Sequence, residues 1–282
     1  MKKKIAILGS TGSIGKTLFN LILKEKKNFE FSLLTANKSH KILLKQAKAL
    51  NVKNLIITDK KDYEILKQKT NNTKIRVFND FTQLDKIFKK KIDYVMSSIS
   101  GIHGLEPTIK IIKFTKKIAI ANKESIICGW NLIQSQLNKH KTEFIPVDSE
   151  HFSIWYGLKN YKSKDLENIF LTASGGPFYK TSLSKFKKIK VSDALKHPNW
   201  KMGKKISTDS ATMINKVYEV IEAKKLFNID YAKIKILIHP KSYIHAIIKF
   251  NNGLTNIIAH DTTMKVPIFN TLFLESNHKL ET

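Results

Sequence analysis

The sequence predicts an α/β fold, in which a parallel sheet is followed by a second domain of mixed α+β structure. In the first half of the 282 residues, short apolar runs alternate with amphipathic helical patterns, which is typical of a parallel sheet covered on both faces. A glycine-rich turn, GSTGSIG, joins the first apolar run to the first helical pattern. After Pro146-Val147-Asp148 the alternation ends. Residues 1–148 and 149–282 are therefore predicted to form separate domains.

Six apolar runs predict the strands of the first domain: KKIAIL, FEFSLLTA, KNLIITD, KIRVF, IDYVMSS and KIAIAN. Helical spacing between them predicts helices at GKTLFNLILKEKK, HKILLKQAKALN, DYEILKQKT, DFTQLDKIFKKK and LEPTIKIIKFT. Because the first strand leads through glycines into the first helix of a βαβ unit, this domain is predicted to be Rossmann-like.

The second domain is predicted to open with the strand ENIFLTAS. A long loop follows, from Gly175 through HPNWKMGKK, and structureless connections of this length are usually functional lids or disorder. One helix is predicted from about Ala211 to Phe227. The runs KIKILIHP, SYIHAIIKF and LTNIIAH predict a second sheet with a hairpin turn at Asn251-Asn252-Gly253, and VPIFNTLFLES predicts a last helix.

The net charge is high, with 50 Lys and Arg against 23 Asp and Glu, or +27. Such a charge is typical of proteins that bind nucleic acid. The basic residues are nearly all lysines, scattered through every segment and not interleaved with stacking aromatics. We therefore favour the codon bias of an AT-rich genome and predict no nucleic-acid partner, although the surface should attract phosphorylated substrates.

The sequence predicts a cytoplasmic protein without a membrane partner. It has no apolar run long enough to span a bilayer. The N-terminal MKKKIAIL lacks the long apolar region and cleavage site of a signal peptide. Cys128 is the only cysteine, so an internal disulfide is excluded, which suits a reducing compartment.

The glycine turn is a candidate phosphate-binding loop. Its glycines permit a close approach of the backbone to a ligand, and the N–H groups of the following helix can bind a pyrophosphate. The spacing G-x-x-G-x-x-G departs from the commoner G-x-G-x-x-G, and similar turns join strands to helices in many proteins. Its place in a βαβ unit favours dinucleotide binding.

The end of the second strand indicates which dinucleotide is bound. An NAD site places an acidic residue there for the ribose 2′-OH. Residues 35–41 read TANKSHK, which offers amide, hydroxyl and cationic donors but no carboxylate. These donors suit a 2′-phosphate, and we infer NADPH; the alternative is that Lys38 is merely one of many lysines.

Asp148 and Glu150 in PVDSEH are candidate metal ligands. In an extended segment they would point to the same side and repel unless a cation lay between them, and Mg²⁺ and Mn²⁺ prefer such oxygen ligands. The alternative is an exposed acidic turn in which Asp148 or Ser149 caps a helix.

A third carboxylate ligand is available in Glu219, one helical turn after Asn215 and flanked by Lys216. An amide, an amine and a carboxylate on one helix face could bind phosphate and metal side by side. The alternative is an ordinary solvated face with a Lys–Glu pair.

Further candidate phosphate donors are weak singly and indicate a phosphate site only as a set with Lys216. Ser174 lies beside two glycines, and Ser210 precedes the predicted helix. His197 and Trp200 belong to the long loop, where Trp200 could cover a small ligand.

Together, the blocks GSTGSIG, ANKES, PVDSEH, LTASGGPF, HPNWKMGKKISTDSATMINK, EVIEAKKLFN and IHPKSYIHA resemble the 1-deoxy-D-xylulose 5-phosphate reductoisomerase family. They follow the expected order and span nearly the whole chain. The resemblance implies an NADPH-dependent oxidoreductase and isomerase that needs Mg²⁺ or Mn²⁺. Such enzymes rearrange the sugar phosphate to a branched aldehyde and reduce it to 2-C-methyl-D-erythritol 4-phosphate, on the methylerythritol phosphate route to isoprenoids.

The resemblance also implies a role for each matching residue. The cofactor would be bound by Thr11, Gly12, Ser13, Ile14, Asn37, Lys38, Asn122, Glu124 and Gly203. The metal would be bound by Asp148, Glu150 and Glu219, which with Lys123 form the catalytic set. The substrate would be bound by Lys123, Ser149, Glu150, Ser174, His197, Trp200, Ser210, Asn215, Lys216 and Glu219.

Family members usually continue into a C-terminal helical domain, for which the present sequence shows no counterpart after residues 278–282. We expect a chain without that domain: a reduced form, a fragment, or a protein that relies on dimerisation through the second sheet. A homodimer is the expected assembly. Two alternatives stay open. One is another NADPH oxidoreductase acting on a different phosphorylated substrate. The other is an inactive protein with a Rossmann scaffold that binds nucleic acid through its basic surface.

Overall fold

The computed structural model describes residues 2–161, 163–196, 203–274 and 276–281. The chain forms two compact units, Met1–Val147 with Ile268–Thr282, and Asp148–Pro267. The predicted second domain includes the last segment, whereas in the structure Ile268–Thr282 belongs to the first unit. The assignment of the units as cofactor-binding and catalytic domains is treated below as a proposal.

The first unit is built on a seven-stranded sheet in which every neighbouring pair is parallel. Its strands are β1 (Lys3–Leu8), β2 (Phe29–Ala36), β3 (Asn54–Ile57), β4 (Arg76–Phe78), β5 (Ile92–Ser97), β6 (Thr115–Ile120) and β7 (Glu143–Pro146), in the order β4-β3-β2-β1-β5-β6-β7. The order reverses between β1 and β5, which is the switch point where open parallel sheets bind ligands. The predicted Rossmann-like fold is confirmed.

Helices follow the strands of this sheet: α1 (Ser13–Lys24), α2 (His40–Leu50), α3 (Lys60–Thr70), α4 (Leu84–Ile87), α5 (Leu105–Ile112) and α6 (Lys123–His140). In the central strand β1, the four residues from Ile5 to Leu8 are fully buried. Such continuous apolar burial is expected of a strand covered on both faces. The long helix predicted at DFTQLDKIFKKK is only four residues in the structure, and β7 is a strand that was not predicted.

The second unit contains a four-stranded mixed sheet. Its strands are β8 (Leu166–Ala173), β9 (Ile234–Ile238), β10 (Ile244–Phe250) and β11 (Thr255–Ala259), in the order β11-β10-β8-β9, with only the β8–β9 pair parallel. Its helices are α7 (Ser149–Gly157), α8 (Val191–Ala194), α9 (Lys204–Ala211) and α10 (Ile214–Phe227). Ile154 of α7 and Ala223 of α10 pack with the buried face of the sheet. A last helix, α11 (Lys265–Phe273), begins in this unit and ends in the first.

The single helix predicted from Ala211 to Phe227 is two helices in the structure. Met213 adopts the left-handed conformation, with φ of +61°, and separates α9 from α10. A left-handed residue cannot continue a right-handed helix, and α10 therefore begins anew at Ile214. The predicted structureless loop also contains a 3-10 turn at Leu183–Lys188 and the short helix α8.

None of the helices in the described ranges has the length and apolar character needed to cross a bilayer.

Candidate active site

The glycine turn lies at the switch point of the first sheet. Gly9 has a φ of +78°, and a Cβ there would lie 2.8 Å from the carbonyl oxygen of Ser98. A Cβ on Gly15 would lie 2.3 Å from the carbonyl oxygen of Gly9. Only glycine fits either position, and the turn therefore folds tightly onto the start of α1. This places the predicted phosphate contacts together at the helix N-terminus: Thr11, Gly12, Ser13 and Ile14.

Asn37 and Lys38 follow the carboxyl end of the neighbouring strand β2. The Asn37 side chain donates to Thr58 Oγ1 at 2.8 Å. Lys38 is well exposed, with its Nζ 4.0 Å from a carboxylate oxygen of Asp59. Both residues lie at the strand end where dinucleotide-binding folds bind the adenosine ribose, so their position agrees with a 2′-phosphate subsite.

Asn122 is the N-cap of α6. Its carbonyl oxygen accepts a hydrogen bond from the backbone N–H of Ser125 at 2.5 Å, and its amide donates to the carbonyl oxygens of Ile99 and Gly101. Asn122 thus fastens the loop after β5 to the start of α6. The next two residues, Lys123 and Glu124, form the first turn of α6, and their predicted contacts with substrate and nicotinamide remain predictions.

Three acidic side chains converge in the second unit. Asp148, Glu150 and Glu219 each offer an oxygen atom within 4.8 Å of the other two. Asp148 precedes α7, Glu150 lies in its first turn, and Glu219 belongs to α10. The prediction that Asp148 and Glu150 lie on an extended segment is wrong, since α7 begins at Ser149. Their convergence arises because Asp148 occupies the N-cap position, although its side chain makes no capping hydrogen bond.

Lys216 is the cation of this acidic cluster. Its Nζ lies 2.9 Å from Glu150 Oε1 and also contacts the Glu219 carboxylate and the carbonyl oxygen of Thr172. Burial alone would lower the pKa of Lys216, but the charges of Glu150 and Glu219 outweigh it and raise the pKa well above its usual range. The ammonium is therefore charged at any physiological pH.

Side-chain donors complete the surroundings of the carboxylates. Asn215 donates to Glu219, and Ser149 donates to Glu150. The three carboxylates still outnumber the single ammonium of Lys216. A hard divalent cation fits this donor set, because it would bind the oxygens and offset the excess negative charge.

A second group of titratable side chains, not anticipated from the sequence, adjoins Asp148. The fully buried His151 places its Nδ1 3.4 Å from Glu222 and 3.7 Å from Asp148. Its Nε2 lies 2.9 Å from the carbonyl oxygen of Glu219. Burial would lower the pKa of His151, but the charges of Glu222 and Asp148 raise it to about 9.

Only the spacing within each half of this second group is visible in the sequence. His151 follows Asp148 by three residues, and Glu222 follows Glu219 by three, so each pair shares one helix face. What the sequence does not reveal is that the two faces pack together.

The predicted phosphate donors are partly brought together. A Cβ on Gly176, whose φ is +72°, would lie 2.6 Å from the carbonyl oxygen of Ser210. This close approach packs the turn that carries Ser174 against the end of α9. The backbone N–H of Gly176 donates to Ser174 Oγ at 3.1 Å. Gly203 is the exposed N-cap of α9, while His197 and Trp200 lie outside the described residues.

Comparison with known proteins gives the same family over both units. A 1-deoxy-D-xylulose 5-phosphate reductoisomerase model matches residues 5–129, and the model of that enzyme's C-terminal domain matches residues 144–227. The reductoisomerase of Pelagibacter ubique is 60% identical over 281 residues, which is 99% of this chain and 72% of that protein.

Solved structures agree with this similarity. The reductoisomerase from Zymomonas mobilis in complex with NADPH superposes with a TM-score of 0.90 at 34% identity, over 99% of this chain and 73% of that one. A second reductoisomerase structure, in complex with NADPH, fosmidomycin and magnesium, has a TM-score of 0.90 at 31% identity, over 98% and 71% of the two chains.

Proposed function

The chain belongs to the 1-deoxy-D-xylulose 5-phosphate reductoisomerase family, and on this premise we propose how its residues perform the reaction. The enzyme converts 1-deoxy-D-xylulose 5-phosphate to 2-C-methyl-D-erythritol 4-phosphate with NADPH and a divalent metal, in non-mevalonate isoprenoid synthesis. The observation that supports the site assignment most directly is the convergence of Asp148, Glu150 and Glu219.

Asp148, Glu150 and Glu219 bind the metal in this proposal. When bound, Mg²⁺ or Mn²⁺ would supply Lewis-acid stabilisation of the negative charge that develops during the rearrangement. Ser149 and Lys123 orient the oxygenated end of the substrate. His151 and Glu222 keep the metal ligands in position, because they link α7 to α10 beside Asp148.

The substrate phosphate is bound by a set of donors in the second unit: Ser174, His197, Ser210, Asn215 and Lys216. Lys216 and Asn215 also donate to the carboxylates proposed as metal ligands, so the phosphate site adjoins the metal site in this proposal. With the carboxylate charge offset by a bound cation, the Lys216 ammonium would be available to the phosphate. The phosphate contacts supply binding energy far from the reacting carbons, and Trp200 covers the closed site.

In this proposal the predicted domain of residues 1–148 binds the cofactor. Residues 149–282, together with Asp148 and Lys123, carry the metal and substrate contacts. The glycine turn is assigned to the pyrophosphate, and Asn37 and Lys38 to the 2′-phosphate. Asn122, Glu124 and Gly203 are assigned to the nicotinamide end of the cofactor. When bound, NADPH supplies the hydride, and the protein sets its distance and face.

The assembly proposed is a cytoplasmic homodimer that binds neither nucleic acid nor membrane. Ile236 and Leu237 of β9 and Ile257 of β11 are exposed large apolar residues on the second sheet, which supports pairing through that sheet. The free thiol of Cys128 suits a reducing compartment. A native mass of two chains, and no retention on random DNA at physiological salt, are the expected results.

The function is tested by following NADPH absorbance after adding 1-deoxy-D-xylulose 5-phosphate and Mn²⁺. Oxidation should stop when a chelator is added and resume with excess metal. NADPH oxidation that continues at the same rate in the presence of the chelator would contradict the proposed metal site. An absence of turnover, together with salt-sensitive DNA binding, would favour the nucleic-acid alternative.

A further inference from the structure

The loop after β2 is fastened to the loop after β3 by backbone and side-chain hydrogen bonds. The Asn37 amide donates to Thr58 Oγ1 at 2.8 Å, and the backbone N–H of Asp59 donates to the Asn37 carbonyl oxygen at 3.0 Å. The residues proposed to bind the 2′-phosphate are therefore held against the residues that begin α3.

The beginning of α3 brings two carboxylates to this place. Asp59 is the N-cap of α3 and accepts from the backbone N–H of Asp62 at 3.1 Å, with Lys38 Nζ 4.0 Å away. Asp62, in the first turn of α3, binds His40 Nδ1. Both partners of the His40–Asp62 pair are largely buried, with side chains 15% and 19% exposed. An ionised carboxylate only accepts hydrogen bonds, so Nδ1 of His40 carries the proton.

The glycine turn and His40 are parts of one rigid arrangement. The backbone N–H of Gly9 donates to Thr35 Oγ1 at 2.9 Å. Ser10 and Gln46 exchange two hydrogen bonds, of 2.8 and 2.9 Å, which fix α2 against the turn. His40 is the first residue of α2, six positions before Gln46 and thus about 9 Å from it along the helix axis. His40 therefore lies at a defined distance from the phosphate-binding turn.

A carboxylate near the end of β2 has a known effect on cofactor choice. It binds the ribose 2′-OH of NADH and repels the 2′-phosphate of NADPH. This chain has no acidic residue on the β2 loop itself, but α3 supplies Asp59 and Asp62 from the neighbouring loop. Left without their partners, these carboxylates would favour the wrong cofactor. Lys38 and His40 are the groups that bind them.

We propose that His40 is a positioning residue that determines cofactor specificity: by binding Asp62 it keeps this carboxylate away from the cofactor's 2′-phosphate. The proposal rests on the proposed location of the cofactor in the first unit. It gives a distinct role to a residue outside the glycine turn and outside the Asn37–Lys38 pair. The hydrogen bond from His40 also lowers the pKa of Asp62, which stays ionised and in need of a partner.

The test compares NADPH and NADH in steady-state turnover of 1-deoxy-D-xylulose 5-phosphate. His40→Ala should raise the KM for NADPH about tenfold, because the Asp62 carboxylate would then repel the 2′-phosphate. It should leave kcat within about twofold, because the reacting groups are unchanged. The KM for NADH should stay the same or fall. In the double variant His40→Ala/Asp62→Asn, the KM for NADPH should return to within about threefold of the starting value.

The controls separate a specificity role from a structural one. His40→Gln, which can still donate to Asp62, should retain the NADPH preference. Asp85→Asn removes an exposed carboxylate of α4 that pairs with Lys113. It should leave the KM values for NADPH and NADH unchanged. An unchanged NADPH-to-NADH ratio in His40→Ala, an equal loss with both cofactors, or no recovery in the double variant would each overturn the proposal.

Two further measurements keep the test decisive. If circular dichroism shows that His40→Ala does not fold, two other variants decide, through their preference for NADPH over NADH. The His40→Gln variant must retain this preference, and the Asp62→Asn variant must not lower it. If the unaltered chain fails to turn over the substrate, the proposed function fails separately. In that case the role of His40 is tested by binding alone. The dissociation constants of NADPH and NADH are measured from nicotinamide fluorescence, without substrate, for the unaltered chain and the variants.

Discussion

The glycine turn of the first unit and the acidic cluster of the second both prepare a place for charge, but by different means. The turn relies on backbone N–H groups and on glycines that no side chain can replace. The cluster relies on buried side chains: Lys216, Glu219, Glu222 and His151 are all at most 5% exposed. Backbone donors need no ion pairing, whereas buried ions are tolerated only with partners. Substitutions should therefore have larger effects in the cluster than in the turn.

The largest effect is expected from Glu219→Gln. The change keeps the shape but removes one of three carboxylates from the metal site, and kcat/KM should fall about 10³-fold. Turnover with Mn²⁺ measures the loss, and electron paramagnetic resonance of Mn²⁺ should show weaker binding. Glu167→Gln, at a half-exposed side chain of β8 that pairs with Lys249, is the matched control and should keep near-full activity. Equal rates for the two variants would refute the metal assignment.

The next largest effect is expected on stability, from removal of the buried ammonium of Lys216. Lys216→Met removes the ammonium that binds Glu150 and Glu219, and the free energy of unfolding without metal should drop by about 3 kcal/mol. Added Mn²⁺ should recover part of this loss, because a bound cation offsets the same carboxylates and stabilises the folded state. Urea unfolding with and without Mn²⁺ measures both quantities. A variant that gains nothing from Mn²⁺ would argue against a cation site.

The smallest effect is expected in the turn. Gly15→Ala places a Cβ 2.3 Å from the Gly9 carbonyl oxygen and should cost about 2 kcal/mol through displaced backbone. NADPH affinity should fall with it, while Mn²⁺ affinity should not change. Gly203→Ala, where a Cβ meets no atom of the described residues within 4 Å, should cost less than about 1 kcal/mol. A Gly15→Ala protein of unaltered stability would show that the turn is looser than the structure indicates.

The alternation of apolar and helical patterns was enough to predict the class of the fold. β1 and β2 have the bounds expected from KKIAIL and FEFSLLTA, because continuous apolar burial is visible in the residues themselves. The strand order is not visible in this way. The strand order depends on which strands the crossover connections place side by side. Strand β7 was missed because EFIP is too short to give a pattern.

The site was predicted less evenly than the fold. The acidic residues stood out because of the family motifs, and the structure does bring Asp148, Glu150 and Glu219 together. The break between α9 and α10 at Met213 could not be predicted, because no residue type in the sequence signals a left-handed φ at a non-glycine position. His151 and Glu222 were missed because their meeting depends on how α7 and α10 pack, and no local pattern contains that information.

The hydrogen bond between the His151 ring and the carbonyl oxygen of Glu219 joins α7 to the main chain of α10, not to the Glu219 carboxylate. The backbone of residue 219 is thus held by a main-chain hydrogen bond in addition to the contacts of its side chain. A different ligand type could be installed there without moving the helix. The pair of helices α7 and α10 would therefore accept a substitution that changes the preferred metal without a change in their packing.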